Sequence, residues 1–239
     1  MTKKDSTILK SLLRDTAVDK VGVVSLDQHK DASLQEEAAE LLPGAKSIVM
    51  LAMEIFPETI GKATSKALVG EMTTRDLYLA NSDVIDGLLG WEGYKLVKKL
   101  HDSGFKGLLL PAAGSPYDAR FLRGPLSYKN LAEAAGMGVI GWNSLLLTPE
   151  YGGRVRLAAV ITDASLPTTP AAIMESPCVK CGGACIRICP AEAIKKPSGR
   201  EVYSIDKYAC SSYYTASGMC AECLRVCPAG KKISRVTAS

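Results

Sequence analysis

Two blocks decide how this chain reads: Cys178-Val-Lys-Cys181-Gly-Gly-Ala-Cys185-Ile-Arg-Ile-Cys189-Pro190 and, after Cys210, Cys220-Ala-Glu-Cys223-Leu-Arg-Val-Cys227-Pro228. All eight cysteines of the 239 residues lie within them or between them, and both blocks end in Cys-x-x-x-Cys-Pro. The residues before them are free of cysteine. That shift in composition predicts a main domain over 1–170 and a small cysteine-dense domain over 171–239.

The repeated ending resembles the cluster-binding segment of bacterial-type ferredoxins, which holds two [4Fe-4S] cubanes and lets the last cysteine of each block cross to the other block's cluster. A cubane takes four thiolates from different directions. Three come from a short turn, the fourth arrives after the turn has become helix, and the proline turns the chain away. The resemblance implies Cys178, Cys181, Cys185 and Cys227 on one cluster, and Cys189, Cys210, Cys220 and Cys223 on the other. One departure stands out: Gly182-Gly183-Ala184 puts three residues where the usual block has two, and two glycines can absorb the extra one as a bulge. Zinc and four disulfides are the competing readings of eight cysteines. Zinc motifs leave the paired Cys-Pro endings unexplained, and disulfides conflict with a reducing compartment.

That compartment follows from the rest of the chain. The start, Met1-Thr-Lys-Lys-Asp-Ser6, carries neither an apolar signal core nor a twin-arginine pair. No run of about 18 apolar residues appears. A cytoplasmic protein without a membrane span is expected. Net charge is +4, with Lys and Arg dispersed, which argues against a nucleic-acid partner. The basic tail at Lys231, Lys232 and Arg235 reads as a solvated end.

Along the chain, Ile8, Leu9, Leu12 and Leu13 predict a helix from Ser6 to about Ala17, followed by a strand over Val21–Ser25. A second helix is expected from Ser33 to Leu42, closed by Pro43-Gly44. Ser47–Met53 then reads as a buried strand. A long helix is expected from Thr74 to Ser103, broken in two at Gly90 or Gly93, with Tyr78, Trp91 and Tyr94 as core or interface residues. Gly107–Pro111 reads as a strand emptying into the loop Ala112–Asp118, Ser127–Ala135 as a helix ended by Gly136, and Val155–Thr162 as a strand. Pro167–Pro170 reads as a linker. The loop Asp27-Gln-His29-Lys-Asp-Ala32 matches all but the last residue of the Asp-x-His-x-x-Gly corrinoid motif, and it is read as an ordinary loop histidine.

The glycine-rich segment from Gly136 to Leu157 implies backbone brought close either to another stretch of chain or to a large ligand. Leu131-Ala-Glu-Ala-Ala-Gly-Met-Gly138, Gly141-Trp-Asn-Ser-Leu145, Leu147-Thr-Pro-Glu-Tyr-Gly152, Arg156-Leu157 and both cysteine blocks resemble the epoxyqueuosine reductase and reductive dehalogenase group. The resemblance covers roughly residues 120 to 230 well. It implies an α/β (α+β) chain: a nitroreductase-like domain that binds cobalamin base-off, then a small ferredoxin-like two-cluster domain. With His29 and His101 as the only histidines, a cobalt-ligating imidazole is not expected.

By that resemblance the corrin-contacting positions are Asn143, Ser144, Leu146, Leu157, Ser212 and Ala221, and the cluster of Cys189 lies next to cobalt. The implied activity is a cobalamin-dependent iron-sulfur oxidoreductase that reduces a small-molecule substrate through Co(I), fed by both clusters from a low-potential donor such as ferredoxin or flavodoxin. A corrinoid-binding electron-transfer protein without substrate chemistry of its own is the alternative, a flavin reductase the third reading, and a homodimer a further expectation. The group's proton donor is an aspartate in an Asp-Ser-Ala-Pro loop. The matching loop here is Ala113-Gly-Ser-Pro116, and alignment through Pro125 puts Leu122 at that position. Tyr117 and Asp118 are therefore the candidate catalytic residues. The chain ends at Ser239 without the C-terminal helical repeats that help the group hold tRNA, which adds to the expectation of a small-molecule substrate.

Overall fold

The computed structural model describes residues 16–63, 72–112, 117–172 and 174–230. The predicted N-terminal helix up to Asp15, the loop Ala113–Pro116 and the basic tail at Lys231, Lys232 and Arg235 lie outside the described residues. In chain order come β1 (Lys20–Ser25), α1 (Ala32–Leu41), β2 (Ser47–Glu54), α2 (Pro57–Lys62), α3 (Met72–Asp102), β3 (Gly107–Leu110), α4 (Tyr128–Ala134), β4 (Val139–Ile140), β5 (Leu146–Leu147) and β6 (Val155–Thr162). The cysteine segment adds α5 (Cys178–Cys181), α6 (Ala184–Ile188), β7 (Ile194–Lys195), β8 (Ser204–Ile205), α7 (Lys207–Ala216) and α8 (Glu222–Arg225). The fold is mixed α and β. Two compact units form, each drawn from three stretches: Met1–Met53, Asp83–Met137 and Arg156–Ala172 in the first, Glu54–Ser82, Gly138–Val155 and Ile173–Ser239 in the second. The second unit thus joins the cysteine segment to two stretches from before residue 170.

The first unit is built on a sheet of order β1-β2-β6-β3. Strand β1 pairs antiparallel with β2, Val23 opposite Val49, and β3 pairs antiparallel with β6, Leu109 opposite Val160. Strand β2 is buried along nearly its whole length and β6 from Ala158 to Thr162, as their apolar runs Ile48–Met53 and Leu157–Ile161 require. Val23, Val49, Leu51, Ala158 and Val160 of the sheet pack with Leu89, Leu96 and Leu100 of α3 in one core. Residues 167–170, read as a linker, are tied to the outer strand: Thr168 and Thr169 hydroxyls accept from the Ser25 and Val23 N–H groups, and the Thr169 N–H donates to the Val23 carbonyl at 3.0 Å.

Helix α3 differs from expectation, because it runs unbroken through Gly90 and Gly93. A glycine inside a helix costs about 1 kcal/mol relative to alanine. Here it is outweighed by burial of Leu89, Leu96 and Leu100 against the sheet. At Gly93 the absence of a side chain is also used, since a Cβ there would stand 2.4 Å from Leu109 Cδ1. The helix is further fixed by Asp86, which is 4% exposed and accepts from Arg156 Nε at 2.7 Å and from Arg156 Nη2. His29 serves its own loop: its Nδ1 accepts from the Asp31 N–H, and Asp31 caps α1 through Ser33.

Removing the Asp86 carboxylate leaves the half-buried Arg156 without its fork partner. The Asp86→Ala variant is expected to lose about 1–2 kcal/mol of stability, read as a lower urea midpoint at unchanged slope.

Candidate functional site

The first cysteine block folds as a pair of short helical turns, and the second is built around one, α8. In the first block, Cys178 and Cys181 lie on α5, Cys185 lies on α6, and the two turns meet at Gly182 and Gly183, both left-handed at φ +65° and +74°. The extra residue is absorbed there. A Cβ on Gly183 would also press on Ile186 Cδ1 at 2.9 Å and Trp142 at 3.3 Å. Cys189 closes α6 in the extended conformation that a following proline demands. The β7–β8 hairpin, with Ile194 opposite Ile205, then carries the chain to α7, capped by Asp206 on the Tyr208 and Ala209 N–H groups. Cys210 sits on α7, Cys223 on α8, and Cys220 and Cys227 flank α8.

None of the eight cysteines is in a disulfide. Burial pushes the Cys185 thiol up to about 11, and Cys178, Cys227 and Cys181, near enough to repel its thiolate, push the same way. Burial likewise pushes Cys223 up to about 12, reinforced by Cys220, Cys210, Cys185 and Cys189. Cys210 is raised by burial and then by Cys189 and Cys220. The thiols therefore gather in the crossed arrangement, with the last cysteine of each block among the first three of the other. Cys178, Cys181, Cys185 and Cys227 line one small cavity with Trp142 and Asn143. Among the described residues, no three His, Cys, Asp or Glu side chains converge on a single ion. A cubane asks for something different, because its ligands stand at separate corners around a shared space.

The walls of this site come from the glycine-rich stretch, and here the two readings of those glycines separate. A Cβ on Gly138 would stand 2.2 Å from the Leu147 carbonyl oxygen, and one on Gly152, at φ +58°, 2.1 Å from the Ala229 carbonyl oxygen. Gly230 faces back, with a Cβ position 2.1 Å from the Gly152 nitrogen. The close approach is chain against chain: it seats the end of the second cysteine block on the turn Thr148–Gly152, itself closed by the Thr148 N–H donating to the Gly152 carbonyl at 2.9 Å. Trp142, which spacing did not single out, donates its backbone N–H to Cys178 Sγ at 3.4 Å. Such donors stabilise charge on a ligating sulfur and tune a cluster's potential.

Of the positions expected at a corrin, Asn143, Leu146 and Ala221 are buried at 5%, 3% and 5% exposure, and Asn143 Oδ1 accepts from the Leu145 N–H at 3.4 Å. Asn143 also lines the cavity of the first four thiols. Ser144 is half-buried at φ +62°, and Ser212 is exposed on α7. Leu157 is half-buried on β6 in the first unit. Those three offer more surface than the buried three, of which Asn143 lines the cavity. The catalytic candidates also lie in the first unit. Tyr117 is 59% exposed. Asp118 accepts from Arg120 Nε at 3.1 Å and Nη2 at 2.7 Å, and that guanidinium holds its carboxyl below the usual carboxylate range. A carboxylate so held stays ionised and accepts hydrogen bonds rather than giving up a proton.

The α+β fold with its cysteine segment is that of the reductive dehalogenases and epoxyqueuosine reductases. A reductive dehalogenase whose structure bears on B12-dependent dehalogenation superposes with TM-score 0.66 at 16% identity, over 92% of this chain and 31% of that one. An epoxyqueuosine reductase superposes with TM-score 0.55 at 22% identity, over 95% and 65%. In sequence, the epoxyqueuosine reductase of Pseudomonas aeruginosa is 30% identical over 183 residues, 77% of this chain and 46% of that one, and the Salmonella typhimurium enzyme 32% identical over 178 residues, 74% and 41%. No protein-family profile matches the chain.

The chain is thus a relative of the epoxyqueuosine reductases, and it spans less than half the length of these two curated relatives. One further epoxyqueuosine reductase, TM-score 0.54 at 22% identity over 95% of this chain and 65% of that one, was solved with an epoxyqueuosine-modified tRNA-Tyr stem loop. That complex runs against the expectation of a small-molecule substrate and no nucleic acid. No helix among the described residues is long and apolar enough to cross a membrane.

The Gly152→Ala variant forces a Cβ into the Ala229 carbonyl at a left-handed φ. A loss of at least about 2 kcal/mol is expected, measured as a fall in thermal midpoint together with poorer iron retention.

Proposed function

We propose that the chain is an iron-sulfur reductase that carries two [4Fe-4S] clusters and a base-off corrinoid. The single observation behind this reading is the crossed gathering of the thiols, Cys178, Cys181 and Cys185 with Cys227, and Cys210, Cys220 and Cys223 with Cys189. Two sets of four soft thiolate donors suit two cubanes. The paired Cys-x-x-x-Cys-Pro endings, which zinc motifs leave unexplained, favour them over zinc. In this reading residues 171–239 form the cluster domain and residues 1–170 the cofactor domain. Asn143, Ser144, Leu146, Leu157, Ser212 and Ala221 would hold the corrinoid, which when bound supplies the reducing centre for substrate.

The chain's own groups would do the rest. The eight thiolates hold the clusters, the Trp142 N–H stabilises charge on Cys178 Sγ, and the Tyr117 hydroxyl donates the proton that accompanies reduction. A low-potential protein donor in the cytoplasm would supply the electrons, and residues matching the group's substrate loop would select what is reduced. A corrinoid-binding electron-transfer protein is the second reading, favoured by the one acid of the pair, Asp118, being held ionised by Arg120.

Anaerobic reconstitution is expected to yield about eight irons per chain, and added cob(II)alamin to show a base-off EPR signal that appears only with protein. The crossover is checked by Cys227→Ala, which is expected to lose the cluster shared with Cys178 while the other cluster's EPR signal stays; loss of the Cys220 cluster instead would overturn it. Under a low-potential reductant, turnover is assayed on an epoxyqueuosine-bearing tRNA stem loop and on small organic halides. Tyr117→Phe is expected to slow it about a hundredfold at unchanged iron content. Turnover on neither substrate class, with the cobalt signal present, would select the electron-transfer reading.

A further inference from the structure

Helix α3 is apolar on two faces. Leu89, Leu96 and Leu100 are buried against the sheet, and on the other side, still in the first unit, Val84, Leu88, Trp91 and Tyr94 are 63%, 50%, 59% and 53% exposed. The Trp91 and Tyr94 rings stack on each other, with centroids 5.7 Å apart and planes at 22°. A helix that serves a single core keeps a polar outer face, whereas one that is apolar all round is a buried helix. The four outward side chains expose on the order of 400 Å², the size of patch that marks an interaction surface on a protomer. Beside the rings lie Gly87 and Gly90. A Cβ at either meets nothing within 4 Å, so neither, unlike Gly93, owes its missing side chain to packing within the chain. Each still costs the helix stability relative to alanine.

We propose that this face of α3 is the interface of a two-fold dimer of the chain, with the two copies of α3 packed antiparallel. The occupant is a second copy because the face is complementary to itself. A two-fold axis between Gly90 and Trp91 sets Gly90 opposite the partner's Trp91, Gly87 opposite the partner's Tyr94 and Asp83 opposite the partner's Lys98, since all three pairs straddle that one point along the helix. The stacked rings of one copy then fall on the bared backbone of the other, ridge into groove. Glycine is what permits so close an approach. At the margins opposite charges meet, for Asp83 and Lys98 are both exposed. The parallel arrangement would set Asp83 on Asp83 and Lys98 on Lys98. A two-fold interface uses each complementary pair twice. Val84 and Leu88 widen the apolar centre, and the charged rim with the glycine backbone supplies the rest of the roughly 800 Å² that each partner gives to a standard interface.

The dimer is independent of the iron chemistry proposed above, and its test counts iron on the same samples. Self-association of the anaerobically reconstituted chain is measured by sedimentation equilibrium across a hundredfold range of concentration. A species of twice the 25.4 kDa protomer mass is expected. Trp91→Glu is expected to weaken association at least about a hundredfold, because the change enters the interface twice. Gly90→Gln separates the interface from the fold: glutamine is the better helix former, so the thermal midpoint of the dilute protomer holds or rises, while association falls at least about tenfold as the new side chain fills the groove. Asp83→Lys is expected to weaken association about tenfold, and Lys98→Asp added to it to restore association, because reversing both charges recreates the antiparallel pair. A chain that stays at protomer mass throughout overturns the proposal; a thermal midpoint that then also drops in Trp91→Glu would assign the face to another stretch of the same chain. Association that survives Gly90→Gln, or that Lys98→Asp fails to restore, overturns it equally.

Discussion

Everything in the second unit is arranged around one electrostatic constraint, the crowding of thiols away from water. Burial and mutual repulsion push Cys185 up to about 11 and Cys223 up to about 12. Thiols so placed cannot all ionise unless positive charge is supplied in their midst, and iron supplies it in a cubane. The protein's part is to hold the sulfurs at fixed corners before that charge arrives. It does so with short turns rather than long helices: α5 and α6 meet at two left-handed glycines, and Cys189 is forced extended by Pro190. The Trp142 N–H donates to Cys178 Sγ, a fixed dipole that would stabilise charge on that sulfur.

That local geometry depends on a stretch far upstream of the cysteines. Gly138, Gly152 and Gly153 let the segment before β6 lie against Leu147, Ala229 and Leu224, at separations a side chain would fill. Leu147, Cys178 and Ala229 share one small core, with Trp142 and Cys227 packed on it. A methyl group added at Gly152 therefore acts on the cysteine site without touching a cysteine. Arg154 belongs to the same stretch, tied to Glu54 and to the Gly230 carbonyl. Its buried charge is the second electrostatic demand this unit has to meet.

Kinship and likeness of fold bear differently on function. The relatives by sequence are epoxyqueuosine reductases, and the solved structures that share the fold include reductive dehalogenases at 16% identity. One fold thus carries reductases that differ in substrate, and the difference has to lie in the residues that meet the substrate. By resemblance, the group's proton-donor loop corresponds in this sequence to Ala113-Gly-Ser-Pro116, which carries no aspartate. Asp118 nearby is already committed to Arg120.

The repeated Cys-x-x-x-Cys-Pro endings marked the eight cysteines as one cofactor-holding segment, while the division into two sets of four came from the resemblance to two-cluster ferredoxins. Periodicity determined β1, β2, β3, β6 and α1 nearly to the residue, since buried strands and a capped amphipathic helix leave direct marks in the order of apolar residues. Tertiary structure alone decided three other matters. It kept α3 whole through Gly90 and Gly93, because burial against the sheet outweighs the local cost of glycine. It turned the glycines of 138–153 toward the chain itself, a choice local sequence leaves open because a close neighbour can be protein or ligand. And it paired the buried Arg154 with Glu54 and with the Gly230 carbonyl, 100 and 76 positions away, which leaves no pattern in the order of residues.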